Sequence, residues 1–409
     1  MDKIVIIGGG AAGMMASIFA ARRGAEVHVY EKNEKTGKKL YITGKGRCNL
    51  TNACDMEELL ESVKINKKFL FSAFFGFTNE NAMDFFEKEG LKLKVERGNR
   101  VFPLSDRSAD VLDTLRRSMK QAGVRIHLNT EVKKVLKNDT GFTLQLTDGT
   151  KETADKVMVA TGGISYESTG STGDGYRFAE EFGLKVTECC PSLVPFNVRE
   201  DWVKELQGLS LKNVSILIKD GKKKLFSDFG EMMFTHFGVT GPLILTASSV
   251  CARKIREKEV KLYLDLKPAL TKEQLDARIL REFDANANKQ FRNVLPSFLP
   301  SKLVSVMYEL CGIAPEKRIH DITKEERERF LSCLKELELT VTGLRGYNEA
   351  IITKGGVSVK EIDPSTMESK TVPGLYFIGE VLDLDAVTGG FNLQIAWSTA
   401  VAAANAATE

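Results

Sequence analysis

The stretch Lys3-Ile4-Val5-Ile6-Ile7-Gly8-Gly9-Gly10-Ala11-Ala12-Gly13, read through to Glu31, decides the fold. Lys3 to Ile7 is a β-branched run of strand type, Gly8 to Gly13 is a turn, and Met14 to Arg23 is an Ala- and Met-rich segment without a breaker. Gly24 ends that helix, and Glu26 to Tyr30 forms a second strand closed by Glu31. Such an order is a β-α-β unit. Within it, Gly8-x-Gly10-x-x-Gly13 has a physical logic: the first glycine makes a tight turn, the second lets a pyrophosphate approach the backbone, and the third lets the helix pack on the strand. The helix N-terminus then offers amide donors and a partial positive charge to the phosphates. Glu31, 18 residues beyond Gly13, is placed to accept hydrogen bonds from a ribose.

The far end of the chain selects among dinucleotides. An NAD domain is normally complete in one contiguous unit, whereas here a second strand-turn segment runs from Thr371 to Glu380. It is followed by Gly389-Gly390-Phe391-Asn392-Leu393-Gln394, which opens the last, Ala-rich helix. A helix N-terminus at that point stabilises negative charge on a reduced flavin. The arrangement points to FAD, a long ligand held from both ends of the sequence.

Several segments resemble flavoproteins of the glutathione-reductase type with two dinucleotide-binding domains: the N-terminal motif with Glu31, Val159-Ala160-Thr161-Gly162-Gly163, and Gly379-Glu380. More narrowly, four segments resemble the BaiN/YhiN-type, aminoacetone-oxidase-like NAD(P)/FAD-dependent flavoproteins. They are Thr43-Gly44-Lys45-Gly46-Arg47-Cys48-Asn49-Leu50-Thr51-Asn52, Arg100 to Pro103, Thr235 to Pro242, and Gly389 to Trp397. The resemblance implies an α/β fold in which a Rossmann-like FAD-binding domain, residues 1–190 and 350–409, is split by an inserted β-plus-helical substrate domain, 191–349. It implies cofactor contacts from Gly8, Gly10, Ala12, Gly13, Glu31 and Lys32. Thr43, Gly44, Gly46, Arg47, Cys48 and Asn49 lie along the flavin in this reading, and Val132 meets the adenine through its backbone. Thr161, Gly162 and Gly163 cover the pyrophosphate side, Gly379 and Glu380 the ribityl or pyrophosphate, and Gly390, Asn392, Leu393 and Gln394 the ring. Glu380 departs from the Gly-Asp usual at that place, which gives a longer-armed contact.

Texture along the rest of the chain fits two domains. Residues Glu57 to Leu115 read as helical, with a Phe-dense patch from Phe69 to Phe86 expected in the core. Val124 to Leu128, Val132 to Leu136, Gly141 to Leu146 and Lys156 to Ala160 read as strands. Residues 191–268 alternate apolar and polar like a small antiparallel β unit. Residues 271–336 read as helical, with capping boxes at Thr271-Gln274 and Thr323-Glu326.

Composition excludes several classes. With 409 residues, 43% hydrophobic and 28% charged, the chain is neither disordered nor fibrous, and a net charge of +3 does not by itself imply a nucleic-acid partner. Lys3 to Ala21 is interrupted by glycines and followed by Arg22-Arg23 without a cleavage pattern, so a leader or membrane span is not expected there. Seven cysteines fit a reducing, cytoplasmic setting, and neither a CxxC pair nor a zinc-spaced Cys/His cluster predicts a metal.

The reading that follows is an FAD-dependent oxidoreductase in which hydride passes through flavin N5. Resemblance implies NAD(P)H as reductant, and since no second GxGxxG unit exists, the nicotinamide enters only transiently. The family's range suggests reduction of a carbon–carbon double bond conjugated to a carbonyl, in a small enone or in a uridine of ribosomal RNA. Cys48, His236 and Lys354 are the candidate proton donors. For each there is a structural alternative: an inert buried thiol, a hydrogen-bonded loop histidine, and a lysine that merely precedes the glycine pair Gly355-Gly356. Asp383 and Asp385 either approach the flavin or solvate a loop. Lys222-Lys223-Lys224 is a basic turn, silent unless the substrate is RNA. An oxygen-dependent amine oxidase and a flavin-binding interaction protein without turnover are the rival functions; no protein partner is predicted.

Overall fold

A computed structural model describes all 409 residues. The N-terminal segment folds as strand β1 (Lys3–Ile7), helix α1 (Ala11–Arg22) and strand β2 (Glu26–Tyr30). These elements seed a five-stranded parallel sheet in the order Leu375–Phe377, Lys156–Val159, β1, β2, Arg125–His127. β1 is buried along nearly its whole length, because both faces of a parallel sheet are covered, and this is why its sequence is continuously apolar rather than alternating. The C-terminal helix Phe391–Ala407 carries many small residues and is buried on most of its surface.

The chain forms two compact units, residues 1–192 with 347–409, and residues 193–346. In the second, six strands close into a barrel: Phe196–Val198, Gly238–Thr240, Lys223–Phe234, Ser210–Asp220, Val260–Asp265 and Leu337–Leu344. Closure removes the exposed edges that an open sheet of these strands would present. Its helices pack through an aromatic cluster in which Phe330 meets Phe283, Phe291 and Phe298 at centroid distances of 5.4–6.4 Å. Both expected capping boxes form, with Thr271 and Thr323 accepting from the backbone N–H of Gln274 and Glu326.

Two expectations about local structure are corrected. The segment 57–115 is not uniformly helical, since strands Leu93–Glu96 and Arg100–Pro103 pair antiparallel about a turn at Gly98-Asn99. Propensity alone hides strands of four residues. The β unit also contains a helix, Pro242–Glu257, started by a proline at its first position, where the missing N–H costs nothing. The Phe patch is mostly core as expected, with Phe74 and Phe86 fully buried, although Phe71 and Phe75 are exposed.

The aromatic cluster yields a stability prediction. Phe330→Ala leaves a cavity at the centre of the second unit and lowers its unfolding free energy by about 3–5 kcal/mol, measured by urea denaturation. A loss under about 1 kcal/mol would contradict the cluster as that unit's keystone.

Candidate functional site

The β1–α1 turn is tight for a backbone reason. Gly8 has φ +106°, and a Cβ there would lie 2.6 Å from the carbonyl oxygen of Ala160. A Cβ on Gly13 would collide with the carbonyl oxygen of Gly8, so the helix approaches the strand only because residue 13 has no side chain. At Gly10 the same construction meets no atom within 4 Å, because the position opens onto a cleft. No side chain caps α1, and Ala11 and Ala12 border that cleft, so the first-turn amides are available to a ligand. Glu31 is buried; its Oε2 accepts from the N–H of Gly9 at 2.8 Å and its Oε1 from the N–H of Asn33 at 2.9 Å. The carboxylate thus fixes the turn as well as facing the cleft.

The cleft encloses about 1330 Å³ of empty space, larger than a pocket for a drug-sized ligand, typically about 300–1,000 Å³. It gathers Gly8, Gly10, Ala12, Glu31, Lys32, Thr43, Val132, Thr161, Gly162, Gly379, Glu380, Asn392 and Leu393 from five separate parts of the chain. Val132 and Glu31 mark one end, and α1 with Gly379 marks the middle, since a Cβ on Gly379 would lie 2.8 Å from that of Ala12. Ile352, Leu384 and Asn392 lie toward the other end. Thr161 carries a buried hydroxyl with no hydrogen-bond partner in the protein. An uncapped helix, an open glycine and an unpartnered hydroxyl on one elongated cleft together suit an extended dinucleotide with adenosine, pyrophosphate and flavin in sequence.

Other named residues stand outside the cleft and support it. Gly13 and Gly163 are packing positions; a Cβ on Gly163 would meet the side chain of Thr353 at 2.5 Å. Gly44, Gly46 and Cys48 lie in a loop of left-handed backbone that also includes Lys45. Arg47 is turned to Glu96 and Asp106 and lies over the ring of Phe102, 4.2 Å from its centroid. Asn49 has a buried Oδ1 without a partner. Gly390 is the left-handed residue before the last helix. Gln394 is fully buried and accepts from Thr51 at 2.6 Å while donating to the carbonyl of Phe77 at 3.2 Å, so it ties segments together.

The three candidate donors separate. Cys48 is fully buried and does not border the cleft, and burial pushes its thiol up to about 12. His236 belongs to the second unit, in the turn after Lys223–Phe234, edge-on to Phe237 with ring centroids 5.0 Å apart. Lys354 is buried in the first unit, with Nζ 3.8 Å from Oδ2 of Asp385. Asp383 and Asp385 are both buried rather than solvating a loop.

One cleft residue carried no sequence signal. Lys39 binds both oxygens of Glu380, at 2.9 and 2.7 Å, and Glu380 also accepts from the N–H of Thr353. Its partner is 341 residues away, beyond the reach of any local pattern.

Fold and cleft define a nucleotide-binding flavoprotein oxidoreductase. Comparison with known proteins narrows this: the model of the HI0933-like protein Rossmann domain family matches residues 2–406, and the chain belongs to that family. It is 33% identical over 400 residues to the ribosomal RNA dihydrouridine synthase of Escherichia coli strain K12, covering 98% of this chain and 96% of that one. It is 32% identical over 413 residues to the 3-dehydro-bile acid delta(4,6)-reductase of Clostridium scindens, covering 100% of both. Among solved structures, the fold is similar to 3-ketosteroid delta1-dehydrogenase from Sterolibacterium denitrificans, with a TM-score of 0.53, 13% identity and 100% coverage of both chains. No helix is long and apolar enough to cross a membrane.

Two variants probe the site. Gly10→Val meets no protein atom at its Cβ but occupies the cleft, so it folds with unchanged thermal stability in the absence of flavin and binds FAD at least about tenfold more weakly, read by fluorescence titration. Unaltered FAD binding would remove the pyrophosphate from this position. A thiol held near 12 is neutral at pH 8, so Cys48 in the folded protein resists iodoacetamide at that pH by mass spectrometry. Rapid alkylation there would contradict its burial.

Proposed function

We propose that the protein is an FAD-dependent reductase that takes electrons from NADH or NADPH and saturates a carbon–carbon double bond conjugated to a carbonyl. When bound, FAD supplies hydride transfer through N5. The chain's residues do the remainder. The first turn of α1 and the glycine turn hold the pyrophosphate, Glu31 holds the adenosine ribose, and Glu380 with Lys39 steadies the middle of the cleft. Thr43, Asn392 and Leu393 bound the ring end.

The observation that carries this reading is that two relatives of nearly equal identity, each aligned over almost its whole length, are named for one kind of bond change on unlike molecules. Dihydrouridine is uridine saturated at its 5,6 bond, next to a carbonyl. A delta(4,6)-reductase acting on a 3-dehydro steroid likewise saturates bonds conjugated to a ketone. Hydride addition followed by protonation serves both. With a single dinucleotide motif, the nicotinamide is a transient visitor, so the two half-reactions alternate in ping-pong order.

A second observation favours the RNA acceptor over the small enone. Residues 193–346 hold 26 Lys+Arg against 21 Asp+Glu, whereas the rest of the chain has a slight negative excess. Lys222, Lys223 and Lys224 are exposed at one hairpin turn of that unit. A positive field of this kind draws a phosphate backbone.

The test is anaerobic. NADPH or NADH should bleach the bound flavin, and ribosomal RNA or a steroid enone should restore its colour without oxygen, with dihydrouridine or the saturated ketone found by mass spectrometry. Colour restored only by oxygen, with an amine as the sole effective reductant, would replace the reductase by an amine oxidase.

A further inference from the structure

The short antiparallel pair Val186–Ser192 and Ile352–Val357 carries a buried charge that the account above leaves unused. Register places Cys190 opposite Lys354 and Ser192 opposite Ile352. Directly opposed and alternate residues share one face of a sheet, so Ile352, Lys354, Cys190 and Ser192 point the same way. Ile352 borders the cleft toward its ring end. Lys354 therefore stands one row along the same wall, about 7 Å farther on. On the facing segment Leu384 borders the cleft and Asp385 follows it. Asp385 is fully buried, and its Oδ2 accepts from the hydroxyl of Ser192 at 2.9 Å and lies 3.8 Å from Nζ of Lys354.

The backbone is specialised to aim this lysine. Pairing slips between Thr187 and Cys190, so that Glu188 and Cys189 together oppose Gly355. Gly355 has φ +96°, and a Cβ on it would collide with the carbonyl oxygen of Glu188. A bulge of this sort redirects the neighbouring side chain. Burying an ammonium and a carboxylate costs more than packing apolar groups of the same size, so the pair is poorly explained as a stabilising device. Its separation of 3.8 Å is also longer than a hydrogen bond, which leaves the ammonium able to turn toward another acceptor.

We propose that Lys354 is the proton donor of the reduction, with Asp385 and Ser192 as the positioning residues that hold its ammonium at the ring end of the cleft. The inference rests on the reductase reading above. The balance is as follows: the carbon β to the carbonyl receives hydride, two electrons and one hydrogen, which originate in NAD(P)H, while the π bond breaks. Its electron pair takes up a proton at the α carbon as an N–H bond of Lys354 breaks, leaving a neutral amine. Water reprotonates that amine when product leaves. Among the other donors weighed, Cys48 does not border the cleft, and Lys39 is engaged at close range by both oxygens of Glu380, at the middle of the cleft rather than its ring end.

The experiment separates the half-reactions by anaerobic stopped flow in flavin-loaded wild type, Lys354→Met, Lys354→Arg, Asp385→Asn and the double variant Lys354→Met/Asp385→Asn, which leaves no buried charge unpaired. Expected results are wild-type flavin content and bleaching by NADPH in all four variants, with reoxidation by the enone or RNA slowed about 10²–10⁴-fold in both variants lacking the lysine. Lys354→Arg and Asp385→Asn should be less impaired. In the wild type, product formed in D2O carries deuterium at the α carbon. Reoxidation of Lys354→Met within threefold of an active wild type overturns the donor role and leaves the reductase reading standing. Loss of flavin from every variant, Lys354→Arg included, also overturns it by making the pair a scaffold. A wild type that no enone or RNA reoxidises ends the reductase reading and this inference with it.

Discussion

Everything in the first unit depends on how closely α1 can approach β1. The carbonyl oxygen of Gly8 occupies the space that a side chain on residue 13 would need, and the backbone of Ala160 occupies the space beside Gly8. Only with both side chains absent does the helix start directly above the strand end, uncapped, with its first-turn amides at the edge of a cleft. Such amides call for an anionic partner, and the helix dipole adds to the demand. Glu31 completes the arrangement by taking the N–H of Gly9, so the same carboxylate that borders the cleft also holds the turn in shape.

The distant parts of the unit are fastened to this point by buried polar contacts. The N–H of Gly379 donates to Thr399 at 3.0 Å, and the indole of Trp397 donates to the carbonyl of Leu50 at 2.8 Å. Gln394 links Thr51, Phe77 and Ser398 in one buried network. The last helix is therefore the fixture against which the segment Thr43 to Asn52 is set. Buried polar groups that are fully bonded specify a single arrangement, whereas half-bonded ones destabilise it. Gln394 is thus better understood as a strut of the site than as a wall of it.

Much of this was legible in the residues. The β-α-β unit declared itself because its glycines have no substitute, and the capping boxes at Thr271 and Thr323 because they are local. The barrel was half-legible: alternation in Ser210–Asp220 and Val260–Asp265 marked strands, but nothing local announced that Leu337–Leu344 closes the circle. Features made by distant partners were not readable. Lys39 with Glu380, and Lys354 with Asp385, acquire meaning only when the chain brings them together. Arg47 shows the opposite case, a residue in a suggestive motif whose guanidinium is engaged by Glu96 and Asp106.

The central claim, that one long cofactor is gripped by both extremities of the chain, is tested most directly by the absorbance spectrum and extracted-flavin content of the purified, FAD-reconstituted protein. The account predicts a yellow protein with about one FAD per chain, held through gel filtration. A colourless chain that does not retain added FAD would contradict it.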